Sequence, residues 1–424
     1  MAKTNLSDDR DLTDEQKLFK ESLLDWADRN LDLDRVIKIN REGHPYPKDL
    51  IKGLADLGVI MGTVPEEQGG MGLTWTDQSI ISETLGYIDP SIATAAGFMA
   101  VETGWGFTIN RYAREEVRKE YVQPAIRGDK FIGIATTEPG GGSDVANFKC
   151  TGEKDGDEWV LNGEKTFISG VEECKEIGGG YWVNVRTGEK LPDAPHKNMT
   201  AFFVPIDSEG LTPTEPYDDA GRGSISTAGF IMEDVRVPEE YMLGEQGKGF
   251  YYTMEGFDNA RIMIGASSVG VTRRILEEAA DYIKERKTFG YPLAQYEGIQ
   301  FPFVERYIEM EAGDLMVKKT AKMQDVRYDE EGWKEKTGKA KTYKPTEIAK
   351  WISMTKYKLP HLAKDTADDA MHWLGAAGYS SEYIFETAWR GVMSYCVGAE
   401  GGANIQKIVI GRETLGSDYI PYRK

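Results

Sequence analysis

A chain of 424 residues exceeds what one ordinary hydrophobic core supports, so two or three packed domains are expected, stable without disulfide or metal staples. Its formal charge of −19 argues against nucleic-acid binding and leaves any anionic ligand to be gathered by local basic groups. No apolar run reaches the roughly 18 residues that cross a bilayer, and the polar start from Met1 to Arg10 is not signal-like. Cys150, Cys174 and Cys396 lack metal-ligand spacing and read as reduced thiols. The expectation is a cytoplasmic protein with no membrane insertion and no metal.

Thr13-Asp14-Glu15-Gln16 reads as a capping box ahead of the apolar positions Leu18, Leu23, Trp26 and Leu31. Helical periodicity recurs through 47–57, 76–87, the small-residue stretch 92–110 and 114–126. From Phe131 the texture changes. Trp159-Val160-Leu161 and Lys165-Thr166-Phe167-Ile168 flank Asn162-Gly163-Glu164, which predicts a hairpin turn, and strand-like runs follow at 181–186, 200–205 and 229–237. Residues 187–198 read as a surface loop. After Gly249, helices are predicted over 254–287, 299–325, 344–370, 381–393 and 402–415, with 327–345 as an exposed excursion. The order implies an α+β protein: an N-terminal helical domain over 1–130, a middle β domain over 131–247 and a C-terminal helical domain, a four-helix bundle, over 248–424.

Five motifs carry chemistry. In Thr136-Thr137-Glu138-Pro139-Gly140-Gly141-Gly142-Ser143-Asp144, three glycines clear the backbone of Cβ atoms so that N–H groups converge on an anion, and hydroxyls add donors. Alone, such a turn equally well closes a sheet. Phe167-Ile168-Ser169 follows, an ordinary core run if taken by itself. Asp258 and Arg261 share one helix face, as a solvated ion pair also would. Arg286-Lys287-Thr288-Phe289-Gly290 puts cations at a helix C-terminus, which capping alone also explains. Near the end, Gly398-Ala399-Glu400-Gly401-Gly402-Ala403-Asn404 holds a glutamate that either favours a helix N-terminus or removes a proton.

In that order and at those separations the motifs resemble the acyl-CoA dehydrogenases, from about Asp14 to Glu413. The resemblance implies FAD as cofactor, with Ile134, Thr136, Thr137, Gly142 and Ser143 along it and Phe167, Ile168 and Ser169 against its ring. Arg286, Thr288, Phe289, Glu297, His372, Gly375 and Ala376 would reach the FAD of a neighbouring subunit, so that a homo-oligomer, usually a tetramer, is implied. Gly402 and Asn404 would also lie near the flavin, and Ser143, Asp258, Arg261 and Gly401 would touch the acyl-CoA. Glu400 would take the α-proton of the thioester while the flavin accepts the β-hydride, with an electron-transfer flavoprotein as acceptor. Position 260, where some branches carry the base, is alanine.

The chain also departs from the family. The usual Tyr-Glu-Gly-Thr is Ala399-Glu400-Gly401-Gly402, which lacks a hydroxyl at 402, and Glu400 arrives one residue late counted from Arg390. His372 and Gly375-Ala376 replace Gln and Gly-Gly. No arginine lies between Ile88 and Gly104, which disfavours a glutaryl-like substrate, and the small residues near Glu400 favour a bulky, branched, aromatic-derived or alicyclic acyl group. An oxidase, a flavin monooxygenase and a catalytically silent CoA- or flavin-binding protein remain as alternatives.

Overall fold

The computed structural model describes residues 4–329 and 343–421, so most of the excursion at 327–345 lies outside the described residues. The expected capping box opens α1, Asp14–Asn30: the Thr13 hydroxyl accepts from the Gln16 N–H, and the Gln16 side chain accepts from the Thr13 N–H. Helices α2 (Leu33–Glu42), α3 (Lys48–Asp56) and α4 (Trp75–Ile88) follow. The small-residue stretch is helical but wound wider than an α-helix over Ala95–Thr103, and it runs directly into α5, Gly104–Tyr112. Such π-helical turns are rare and favour functional positions. Short helices α6 (Glu115–Val117) and α7 (Gln123–Ile126) complete the first helical layer.

Eight strands then form one sheet: β1 (Phe131–Ala135), β2 (Thr151–Asp155), β3 (Glu158–Ser169), β4 (Gly179–Arg186), β5 (Met199–Pro205), β6 (Leu211–Pro213), β7 (Thr227–Pro238) and β8 (Met242–Leu243). The order is β6-β7-β3-β2-β4-β5-β8, with β1 parallel to β4 and α8 (Val171–Ile177) between β3 and β4.

The predicted hairpin turn at Asn162-Gly163-Glu164 is wrong. Those residues lie inside β3, and the hairpin joins β2 to β3 through Gly156, whose φ is +65°. Gly163 has φ +135° because it sits in a bulge where the register against β7 shifts, with a Cβ there falling 2.4 Å from the Cys150 Sγ. Glycine here serves close approach rather than reversal. A second register shift, between Lys165 and Ile168, places Phe167 at φ +56° and throws its ring out of the sheet.

The chain ends in α9 (Gly249–Glu285), α10 (Glu297–Tyr328), α11 (Pro345–Leu374), α12 (Phe385–Val397) and α13 (Ala403–Leu415). Helix α11 packs against the other four, and α4 of the first layer lies along α9, so both ends of the chain build one helical body. Among the described residues no helix is long and apolar enough to cross a membrane. The α4–α9 crossing depends on two reciprocal glycines: a Cβ on Gly86 would fall 2.1 Å from the Ser267 carbonyl oxygen, and one on Gly270 1.8 Å from that of Glu83. Either contact is below van der Waals distance to backbone that cannot move alone. Gly270→Ala should therefore lower stability by about 1–3 kcal/mol, read as a fall in the urea midpoint of the holoenzyme.

Candidate active site

The glycine loop is held from below by a buried ion pair. Strand β1 ends at Ala135 and delivers Thr136 to the edge of β3, where Lys165, fully buried, donates to the carbonyls of Thr136 (3.2 Å) and Asn184 (3.1 Å) and to the Glu138 carboxylate (3.0 Å). Glu138 also accepts from the backbone N–H groups of Lys149 (2.6 Å) and Cys150 (3.1 Å). Burial pushes the Glu138 pKa up, but Lys165 and the two amides outweigh it and hold it below its ordinary value. With its base fixed this way, the tip from Pro139 to Asp144 is free to stay exposed.

Above that base the residues fit a flavin nucleotide. The Thr136 hydroxyl is enclosed without a partner, and a Cβ on Gly140 or Gly141 would meet nothing, so the loop offers a donor and open space for an anion. Next to it Phe167, 62% exposed, stacks on Tyr217 at 4.7 Å, and the Tyr217 hydroxyl shares a 2.6 Å hydrogen bond with that of Thr166. Backed in this way, the exposed Phe167 ring forms a flat shelf of the kind that covers an aromatic cofactor. Ile168 is buried beneath, and Ser169 pairs with Thr227 at the end of the strand. Tyr217 went unnoticed in the sequence because it comes from a loop some fifty positions away, joined only by the β3–β7 pairing.

The loop between α12 and α13 carries Glu400. Its φ is +54° and that of Gly401 is +91°, two consecutive left-handed residues, a conformation that costs a non-glycine residue about 1–2 kcal/mol. Several neighbours hold it there. The Glu400 carbonyl accepts from Arg261 Nε at 2.9 Å, and the Gly401 carbonyl accepts from Lys356 Nζ at 2.7 Å and from Gln406 Nε2 at 3.0 Å. The Glu400 side chain turns inward. Its Oε1 accepts from the Trp105 indole N–H at 3.2 Å, while Oε2 is enclosed with no partner. Burial pushes its pKa up to about 7, against the lowering effects of the Trp105 hydrogen bond, Arg261 and Lys356. A carboxylate so placed can take up a proton near neutral pH.

The turn before Glu400 is widened: the Ser394 carbonyl accepts from both the Gly398 N–H (3.2 Å) and the Ala399 N–H (3.1 Å). That turn brings position 402 so close to α12 that a Cβ would lie 2.8 Å from the Val397 carbonyl oxygen, so only glycine fits.

Asp258 and Arg261, expected to touch the acyl-CoA, are both buried. Arg261 binds the Glu400 carbonyl and lies 3.4 Å from Asp258, and Asp258 is also 3.4 Å from Arg327. Trp105 and Phe257 close the space beside them edge to face at 5.2 Å. Neither Trp105 nor Lys356 carried a sequence signal: both look like ordinary interior positions of predicted helices.

The remaining residues fall elsewhere. Arg286, Phe289, Glu297, His372, Gly375 and Ala376 are exposed, and Thr288 is half-buried with its carbonyl bound by the Tyr296 hydroxyl. Arg286 follows Arg261 by 25 positions along α9, about 37 Å at the helical rise. The fold of one chain therefore does not bring this group to Glu400. Asn404 is exposed on the first turn of α13, and Ile134 and Ser143 line the glycine-loop side.

Comparison with known proteins points one way along the whole chain. The family models for the N-terminal, middle and C-terminal domains of acyl-CoA dehydrogenases match residues 13–129, 133–235 and 247–415. Isobutyryl-CoA dehydrogenase of Dictyostelium discoideum is 31% identical over 409 residues, covering 96% of this chain and 91% of that protein. The short-chain specific acyl-CoA dehydrogenase of Bos taurus is 29% identical over 408 residues, 96% and 92% of the two chains. The solved butyryl-CoA dehydrogenase of Megasphaera elsdenii superposes with a TM-score of 0.82 at 26% identity, covering 96% of this chain and 100% of that one.

Two variants test the site's construction. Lys165→Met leaves Glu138 buried and unpaired, so stability should fall by about 3–5 kcal/mol in urea titration, and the protein should lose flavin on gel filtration. Trp105→Phe removes the indole hydrogen bond that lowers the base's pKa. The acid limb of kcat/KM should then move to higher pH, while a limb that stays in place would show that the indole does not act on Glu400.

Proposed function

We propose, for a chain that belongs to the acyl-CoA dehydrogenase family and takes FAD as its cofactor, that Glu400 removes the α-proton of an acyl-CoA thioester in forming an α,β double bond. The observation that carries this is the enclosed, half-satisfied carboxylate with its pKa near 7. An α-proton of a thioester is too weakly acidic for an exposed carboxylate, and a dry site strengthens the base while shielding the developing charge. The enolate oxygen needs a donor as well. Among the described residues the Glu400 N–H has no acceptor in the protein, whereas the amides of Gly398, Ala399 and Gly401 are all used within the loop. That N–H is available to the thioester carbonyl, where a fixed donor acts on charge as it develops.

FAD, when bound, supplies the acceptor for the β-hydride. Ile134, Thr136, Thr137, Gly142 and Ser143 would hold it along the glycine loop, with the Phe167–Tyr217 shelf excluding water from its ring and Gly402 and Asn404 nearby. Ser143 and Gly401 would face the substrate, and Asp258 and Arg261 would bound its path to the base. Because Arg286, Phe289, Glu297 and His372 lie far from Glu400 in their own chain, the reading includes a homo-oligomer, a tetramer by family pattern, in which these residues serve a neighbour's FAD. An electron-transfer flavoprotein would take up the electrons.

The acyl group we infer is short but broad. Trp105 floors the space beside Glu400 and is pressed on α9, since a Cβ on Gly256 would lie 2.2 Å from its ring, and α5 touches α9 where a Cβ on Gly104 would meet the Ala260 Cα at 2.7 Å. Little length is left in that direction. Ala399 and Gly398 leave width, a Cβ on Gly398 meeting nothing. The relatives named for isobutyryl-CoA and for short-chain acyl-CoA agree with this shape.

Anaerobic mixing of the holoenzyme with an acyl-CoA panel should bleach the flavin most rapidly with short branched or cyclic acyl groups and scarcely with long straight chains. Glu400→Gln should keep FAD and abolish bleaching. Because only the ionised carboxylate accepts the proton, the bleaching rate should rise with pH through about 7 to a plateau. Fast recovery of the bleached enzyme in air, with peroxide, would replace the dehydrogenase by an oxidase.

A further inference from the structure

We propose that Lys356 is a positioning residue for proton removal: its ammonium fastens the end of α12 to the carbonyl that follows Glu400 and thereby holds the base in place and ionised. The proposal rests on the reading of Glu400 as the base and extends it to a residue on a different helix. Lys356 lies in the middle of α11 and is only 1% exposed. Burying a lysine without a carboxylate partner in hydrogen-bond reach is costly, and it is tolerated when the ammonium's donors are used well. Here two are used. One meets the Tyr395 carbonyl at 2.6 Å, in the last turn of α12 where carbonyls lack intrahelical partners, and the other meets the Gly401 carbonyl at 2.7 Å.

These two carbonyls bracket the loop that makes the left-handed excursion at Glu400 and Gly401. A single cation thus closes the loop at both ends, while Arg261 and Gln406 grip it in the middle. Without Lys356, the Tyr395 carbonyl loses this donor and the Gly401 carbonyl keeps only Gln406, so the strained residues have a way to relax, carrying the carboxylate with them.

Charge adds a second effect. Burial and Arg261 press the Lys356 pKa down to about 7, and Glu400 opposes them; Cys396 also faces the ammonium. Around Glu400 stand Trp105 from α5, Arg261 from α9, Lys356 from α11 and Tyr395 from α12, and Asp258 is paired to Arg261. Through the range near pH 7 where the base ionises, Lys356 is therefore one of two cations lowering its pKa, and its removal should raise that pKa; at higher pH the neutral amine still has the two N–H donors that the carbonyls use.

The test compares Lys356→Met and Lys356→Arg holoenzymes in anaerobic flavin reduction from pH 5.5 to 9, with FAD content and urea midpoints measured alongside. Lys356→Met should keep its FAD, reduce the flavin about tenfold or more slowly on the pH plateau, and move its acid limb up by about one unit. Lys356→Arg, which stays charged over the whole range, should keep the limb from rising and recover part of the rate. A Lys356→Met enzyme with wild-type plateau and limb overturns the proposal, and so does a slowed enzyme whose limb has not moved, since that is the mark of a merely structural lysine. If Lys356→Met does not fold, a limb displaced upward in Lys356→Arg overturns it, and a limb that is unmoved or lower, with a lowered plateau, sustains it. Glu400→Gln is run in parallel: turnover there removes the base assignment itself, whatever Lys356 shows.

Discussion

One enclosed carboxylate governs the architecture around it. An acid stripped of water at Glu400 is unstable unless dipoles and cations are fixed nearby, and fixing them requires rigid elements meeting at one point. Four helices do so: α5 brings the Trp105 indole, α9 the Arg261 guanidinium, α11 the Lys356 ammonium and α13 the Gln406 amide. The glycine crossing of α4 and α9 keeps the long helix in register with the first helical layer, so the indole and the guanidinium arrive together although they come from domains far apart in sequence.

The sheet solves a different problem. It shows a flat aromatic face on its surface while keeping the polar loop beside it in shape. A bulge in β3 turns Phe167 outward, and the next residues in the same strand, Thr166 and Lys165, tie down Tyr217 and Glu138. Consecutive positions of one strand thus serve the shelf and the loop at once, possible because strand side chains alternate in direction.

How far the fold was legible follows from where each signal resides. The capping box, the helical periods and the change of texture at Phe131 are local, and the structure reproduces them. The hairpin at Asn162-Gly163 failed because a turn and a bulge both favour glycine, and only the pairing partner, Cys150 on the facing chain segment, distinguishes them. Glu400 and the glycine loop were legible as motifs. Trp105, Lys356 and Tyr217 were not, since each acts through a contact between elements and none stands in a pattern that a one-dimensional reading separates from core packing. The widened turn at 394–399 and the close approach that requires glycine at 402 were not legible either, since both depend on backbone contacts with the end of α12.

Phe167, Glu400 and Phe289 are all bulky residues in a backbone region that suits glycine. Each carries local strain that a single change to glycine would relieve, and each is a side chain to which the proposed function gives a part. Selection for a sturdier protein and selection for a working one therefore pull in opposite directions at these positions, so a search for thermostable variants that ignored turnover would be drawn to the residues it ought to leave alone.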